Sequence, residues 1–383
     1  MSRILILSGE ASGELHGSAL ATALKKISPD IELEGIGGPK MEAAGVRLLT
    51  GLDKLDIMGI PSWPELRRAL AVLKKLSLYI KSSSFDAIVL IDNPGLNLRL
   101  ARVARDSGHR VIYYIAPQTW AWREGRIKKL RRNVDKVLSI LPFEEAYFRK
   151  AGVDCDFIGN PIMDEVPISF DVAGLRTEFG LESTDAVVGF LPGSRKGEVE
   201  RLLPAMLGAG LRLLDSGERA GRKPRFILAR AASVPLDLIE SLIRPTGLPV
   251  TIIPERAYDV IAVCDALIVT SGTATLQTAL VGRPMSIVYR ISELNYHAFK
   301  WVVKARWMGL ANLIAGRLMS REFLQKEVTG ERLADATAEL LTNPKAREQA
   351  ETDAAELRAK LGGPGVSNRA AARILELIGG QRA

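Results

Sequence analysis

Two cysteines, Cys155 and Cys264, are all that 383 residues contain, and they lie far apart without metal-ligand spacing. That excludes a disulfide scaffold and points to a reducing compartment. No cluster of histidines and carboxylates suggests a bound metal. No uninterrupted apolar run would span a bilayer. The one after Met1-Ser2-Arg3 is too short for a signal peptide. The chain is therefore expected in the cytoplasm, touching a membrane only at its surface. No repeat of solenoid period and no nucleic-acid-binding module pattern is visible.

What is present is an ordinary folded composition, 47% hydrophobic and 25% charged, with a net charge of +8. The positive balance suits anionic partners without choosing among nucleic acid, a membrane face and phosphorylated substrates. The length predicts two domains. Apolar runs alternate with helical periodicity in both halves. The fold class expected is α/β, two Rossmann-like doubly wound domains facing a cleft.

The stretch from Ile268 to Gln277 organises the rest. An apolar strand ends in Ser271-Gly272-Thr273-Ala274, and a helix follows. A turn with so little side-chain bulk lets an anion reach unpaired helix N–H groups and the positive end of the helix dipole. Ser271, Thr273 and Thr275 add hydroxyls. A capped helix start in any α/β protein reads the same way. Leu191-Pro192-Gly193-Ser194-Arg195 is another strand exit, and Arg195 offers a forked donor for phosphate.

In the first half, Arg3–Ser8 is a strand. The turn after it, Gly9-Glu10-Ala11-Ser12-Gly13-Glu14, matches neither the dinucleotide fingerprint nor a P-loop. Its carboxylates disfavour phosphate and favour a hydroxyl-bearing ligand; Glu14 also reads as first-turn dipole compensation. Asp92 follows the strand 86–91, where a carboxylate is placed to act as a general base or to cap the next turn. Leu66, Leu70, Leu73, Leu76 and Ile80 form one apolar helical face, with Arg67, Lys74 and Lys81 at sevenfold spacing. Upstream lie Met58, Ile60 and Trp63. This pattern fits an interfacial membrane contact or a surface helix with a solvated basic side. A basic cluster, Arg126 to Arg132, follows Trp120 and Trp122. Tyr296, Phe299, Trp301 and Trp307 mingle with Lys300, Lys304 and Arg306, as a membrane surface, a lid over an amphiphile, or a helical hairpin. Asp154-Cys155-Asp156 precedes its strand and reads as a surface turn.

Seven motifs in fixed order then carry a resemblance. They are Ser8-Gly9-Glu10-Ala11-Ser12-Gly13-Glu14, Ile91-Asp92-Asn93-Pro94 with Asn97, and Gln118-Thr119-Trp120-Ala121-Trp122-Arg123. Leu141-Pro142-Phe143-Glu144, Leu191-Pro192-Gly193-Ser194-Arg195 and Ser271-Gly272-Thr273-Ala274-Thr275 follow. Asn312-Leu313-Ile314-Ala315-Gly316-Arg317 is the last. Over nearly its whole length the chain resembles the lipid-A-disaccharide synthase family of GT-B glycosyltransferases.

The resemblance implies an inverting transfer, without metal or cofactor. A 2,3-diacylglucosamine moves from UDP-diacylglucosamine to 2,3-diacylglucosamine 1-phosphate (lipid X), making a β-1,6 bond and releasing UDP. It implies that residues 1–165 hold the acceptor lipid and residues 166–349 hold UDP. The tail, about 350–383, packs on the first domain in cis or is swapped into a homodimer. Asp92 matches the family's base, Arg195 and the helix start at Gly272-Thr273 meet the diphosphate, and Asn312 matches an active-site asparagine. Glu10, Ser12 and Gly13 fall to the acceptor side, and Ser194, Ser271, Ala274 and Gln277 to the donor side. Met58, Ile60, Trp63, Arg67 and Lys74 would meet lipid at the anionic inner face of the inner membrane; nucleic acid is not an expected partner. The chain departs from the family at Gly95-Leu96 (commonly Asp-Phe), Asn160 (often His), Arg321 (usually Pro) and Gln277, where related transferases have Glu. An amide there still bonds a ribose diol but loses charge assistance. The rival is another GT-B enzyme acting on UDP-N-acetylglucosamine, a 2-epimerase or a peptidoglycan glycosyltransferase.

Overall fold

Arg3–Ser8 reads RILILS, apolar without clean alternation, as a strand covered on both faces requires. The computed structural model describes residues 2–9, 11–49, 63–120, 125–219, 224–291 and 306–379. They form two compact units, Met1–Asp164 with Leu361–Ala383, and Glu165–Lys360.

The first unit runs β1 (Arg3–Ser8), α1 (Ala11–Ile27), β2 (Glu32–Ile36), α2 (Pro39–Ala43), β3 (Arg47–Leu48), α3 (Trp63–Ser82), β4 (Ala87–Ile91), α4 (Pro94–Asp106), β5 (Val111–Tyr114), α5 (Gly125–Asn133), β6 (Lys136–Ser139), α6 (Pro142–Lys150) and β7 (Cys155–Phe157). The strands make a parallel seven-stranded sheet in the order β3-β2-β1-β4-β5-β6-β7. The order reverses between β1 and β4, with Ser8 level with Ile91. Ligands of doubly wound sheets bind outside the strand ends at such a switch point.

α7 (Ile162–Glu165) takes the chain into the second unit, which continues α8 (Val172–Glu178), β8 (Ala186–Leu191), α9 (Lys196–Arg219), β9 (Pro224–Arg230), α10 (Leu236–Ile243), β10 (Val250–Pro254), α11 (Ala257–Val263), β11 (Ala266–Thr270), α12 (Thr273–Val281), β12 (Met285–Tyr289), α13 (Leu310–Ala315), β13 (Glu322–Leu324), α14 (Gly330–Thr342) and α15 (Pro344–Leu361). Its parallel sheet has the order β10-β9-β8-β11-β12-β13. The switch falls between β8 and β11, with Leu191 level with Val269. α16 (Val366–Gly379) returns to the first unit and packs on α1.

The sheet of the first unit separates two cores. Ile4, Ile6, Leu20, Leu24, Val366 and Ile374 pack on one side. Leu5, Leu76, Leu98, Leu130 and Phe148 pack on the other, under α3 to α6. Burying one such side chain contributes about 1.5–3 kcal/mol.

Two expectations need correction. The apolar face of α3 holds at Leu73, Leu76 and Ile80 and departs from the expectation at Leu70. Val72, Leu76 and Ile80 are buried, whereas Leu70 is 48% exposed among cations. The stretch Asp154-Cys155-Asp156 overlaps β7, which begins at Cys155, rather than preceding it as a surface turn, and Lys136 Nζ donates to both Asp154 and Asp156, at 2.8 and 3.0 Å. The edge strands β3 and β13 are too short to show a period in the sequence.

Candidate functional site

At the second switch point, β8 and β11 release two turns side by side. Gly193 has φ +117, and a Cβ there would stand 2.6 Å from Glu198 Oε2. Glycine thus lets Glu198 reach back under the turn, where it accepts from Arg195 Nη1 at 2.9 Å. The Arg195 side chain stays 63% exposed. Gly272 has φ +135, yet a Cβ there would meet nothing within 4 Å. The backbone conformation, not crowding, requires glycine at 272, and open space lies in front of it.

That space is a cavity of about 420 Å³. Ser194, Arg195, Ser271, Gly272, Thr273, Ala274 and Gln277, all expected on the donor side, line it together. The N–H groups of Thr273 and Ala274 have no intrahelical acceptor and form the positive end of α12. With Arg195 across from them, the arrangement suits a diphosphate. Thr275 does not contribute as expected: it is fully buried and donates its hydroxyl to Gly272 O at 2.8 Å.

Asn312 also needs correction. Its side chain is fully buried and does not line the cavity. Nδ2 donates to Ser320 O and Glu322 Oε1, each at 2.8 Å, and Oδ1 accepts from Met319 N at 2.8 Å and Ser320 N at 3.0 Å. All the capacity of the amide is used, so nothing remains for a substrate. Asn312 is a bracket. Its partner Glu322 accepts from Met308 N at 2.8 Å and Gly309 N at 2.9 Å. Met308 O in turn receives the Ser271 hydroxyl at 2.6 Å. The Asn312–Glu322 pair therefore holds the turn of the cradle through one peptide.

Glu322 was missed by the sequence reading, as were Arg230 and Glu255, which line the same cavity. Arg230 ends β9 as a cation at a strand exit, the signal that singled out Arg195. Glu255 sits at φ +58, a strained conformation of the kind retained at sites, and nothing in the local sequence announces it.

At the first switch point, Asp92 and Asn93 are consecutive non-glycine residues at φ +48 and +37. Asp92 O accepts from Tyr113 Oη at 2.6 Å and Asn97 Nδ2 at 2.9 Å, which locks the strand exit. The helix-capping role falls to Asn93, whose Oδ1 accepts from Leu96 N at 3.3 Å. That leaves the Asp92 carboxylate half-buried at the sheet end and not occupied as the cap of α4. Burial raises its pKa above the usual range, while the Asn93 N–H draws it the other way. Such a carboxylate is a stronger base than a solvated one.

Gly9 and Gly13 serve close packing. A Cβ on Gly9 would lie 2.3 Å from Asn93 Nδ2, and one on Gly13 2.5 Å from Ser8 Oγ. Gly13, expected at the acceptor, is buried against the sheet. Glu14 accepts from Lys40 N at 3.0 Å and so ties α1 to the start of α2. Two other motifs meet: Glu144 accepts from Trp120 Nε1 at 2.9 Å and Leu141 N at 3.2 Å. Burial pushes its carboxyl up to about 7 against the pull of both donors. Arg67 and Lys74 are exposed on α3. Glu10, Met58 and Ile60 lie outside the described residues, as do the side chains of Ser12 and Trp63 and the segment 292–305.

With both switch points in view, comparison with known proteins is informative. A family model for lipid-A-disaccharide synthetase matches residues 4–376. The chain belongs to the lipid-A-disaccharide synthase family. A lipid-A-disaccharide synthase of Geobacter metallireducens is 39% identical over 386 residues, covering 99% of this chain and 98% of that one. The Pseudomonas syringae pv. tomato protein of the same name is 36% identical, covering 98% and 97%. The family is one of glycosyltransferases, and its substrates are of the UDP-sugar type. Among solved structures, S. aureus MnaA with UDP aligns at TM-score 0.66 and 11% identity, covering 99% of this chain and 97% of that one. A UDP-GlcNAc 2-epimerase of Neisseria meningitidis, bound to UDP-GlcNAc, aligns at 0.62 and 10%, covering 98% and 100%. At such identities these two share the fold alone. The epimerase alternative is therefore not favoured over a family match across nearly the full chain. Among the described residues no helix is long and apolar enough to cross a membrane.

Proposed function

We propose that this synthase joins UDP-2,3-diacylglucosamine to 2,3-diacylglucosamine 1-phosphate. The products are the β-1,6 disaccharide 1-phosphate of lipid A and UDP. The second unit takes the nucleotide and the first takes the acceptor lipid. Asp92 removes the proton from the attacking 6-hydroxyl, whose oxygen forms the new bond to the anomeric carbon. The bond from that carbon to the diphosphate oxygen breaks on the opposite face, inverting the centre. Arg195 and the N-terminus of α12 receive the charge that develops on the diphosphate, the kind of fixed stabilisation that dominates such steps. Gln277 bonds the ribose hydroxyls. Asn312 and Glu322 act through the turn they hold.

The observation that carries this reading is the convergence of two separate strand-exit motifs, around Arg195 and Gly272, on one cavity of about 420 Å³. We further propose that the enzyme works as a peripheral protein on the inner face of the inner membrane, with the basic side of α3 toward lipid. Exchange of α16 between two copies would preserve its packing on α1; a solution mass of one chain discards that dimer.

UDP release, measured from acylated donor with and without the lipid acceptor, tests the reaction. Release dependent on both lipids is expected. Equal turnover of unacylated UDP-N-acetylglucosamine would hand the site to the epimerase-like reading.

A further inference from the structure

The face of the first unit formed by α4 and α5 carries charge that the reaction does not use. α5 has five basic residues and no acidic one in its nine positions. α4 adds Arg99, Arg102 and Arg105 against Asp106. Arg105 is taken by Asp135. The others, Arg99 and Arg102 with Lys128, Lys129 and Arg132, line one open depression of about 480 Å³ floored by Leu98. All five are exposed, and Arg102 reaches Asp106 at 3.5 Å. The remaining four make no ion pair among the described residues. Like charges crowded on facing helices repel, so the arrangement opposes folding unless something anionic occupies the depression.

The neighbouring helix decides what that is. α3 packs on α4, and α4 on α5, over one shared core. α3 exposes Leu70 at 48% and Leu78 at 60%, in the company of exposed Arg67, Lys74, Lys75 and Lys81. Apolar side chains set among cations match a surface with anionic head groups above acyl chains. A single-stranded nucleic acid would call for stacking aromatics beside the cations, and none lines the depression.

We propose that the α4–α5 depression seats the head groups of anionic phospholipids, so that α3, α4 and α5 together form the face applied to the bilayer. This rests on the reading that the substrates are membrane lipids.

The test is vesicle flotation of the full chain on phosphatidylcholine alone and on phosphatidylcholine mixed with phosphatidylglycerol. The variant R99Q/R102Q/K128Q/K129Q/R132Q removes the charge without touching the proposed reaction machinery. Wild type is expected to partition only onto the mixed vesicles. The variant should lose between about tenfold and a thousandfold of that partition. Its UDP release from detergent-dispersed substrates should match wild type, and its melting temperature should equal or exceed that of wild type because the repulsion is removed. Equal partition of variant and wild type overturns the proposal, as does equal binding of wild type to both vesicle types. So does a variant that keeps its vesicle binding and loses salt-sensitive binding to duplex DNA. If wild type releases no UDP, the catalytic reading falls, while the flotation result still decides this surface on its own.

Discussion

The two switch points use one topology for opposite chemistry. At β8 and β11 the exits are glycine turns that open backbone N–H groups and a guanidinium to a cavity. At β1 and β4 the glycines close space instead, pressing α1 onto Ser8 and Asn93, and the exit residue is a half-buried acid on a strained backbone. In the proposed reaction one end attracts negative charge and the other accepts a proton. The difference shows that a glycine-rich strand exit is not in itself an anion site. The missing Cβ faces open space at Gly272 but a neighbouring side chain at Gly13, and also at Gly193, where the neighbour is Glu198, the acceptor of Arg195.

The sharpest way to break this contrast is Asp92→Asn. We expect turnover to fall by about 10³-fold with the fold intact, the scale of a lost general base. The carboxylate must be ionised to work, so wild-type kcat/KM should rise with pH through a pKa above the ordinary aspartate value and then level off. The variant's residual rate should lack that limb, and an identical pH profile in both proteins would remove Asp92 from the proton step. Arg195→Ala comes next, with a loss of about 10²-fold or more in kcat as the diphosphate loses a charge-assisted donor. A variant that changed neither kcat nor UDP affinity would reduce that switch point to a helix cap.

Glu322→Ala sharpens the comparison at a distance. Removing the acceptor for the Met308 and Gly309 N–H groups should cost about 1–3 kcal/mol in unfolding free energy. If the bracket positions the cradle, KM for the donor rises more than kcat falls. Lost stability with unchanged kinetics would make the bracket structural only. The smallest expected effect is Gln277→Glu. Charge assistance to the ribose diol should lower the donor KM by a few fold, measured by initial rates, and an unchanged or higher KM would move Gln277 away from the ribose.

Much of this was legible because the relevant physics is local. Parallel strands covered on both faces read as apolar blocks, and their exits announce themselves through glycine, proline and a lone charged residue. That sufficed to put Asp92, Arg195 and the Ser271-to-Gln277 turn at strand exits, where the structure has them. The unread part depends on chain distance. Nothing near Asn312 says that its amide is consumed by Met319, Ser320 and Glu322, or that Glu322 holds the residue under Ser271. β13 has too few residues to show alternation. On α3 both sides carry leucine, so periodicity could not tell that Leu70 faces out while Val72 faces in. Thr275 and Thr273 look equivalent in sequence, and only the helix phase sends one into the core and leaves the other at the cavity.

Val366, Ala370 and Ile374 on α16 complete a core begun by Ile4, Leu20 and Leu24. During translation, the first unit must wait until the whole second unit and then α16 have been made before its core closes. The intervening unit can fold in the meantime. A message cut short before α16 would thus leave the first unit, not the one made just before the cut, with bare hydrophobic surface for chaperones and proteases to find.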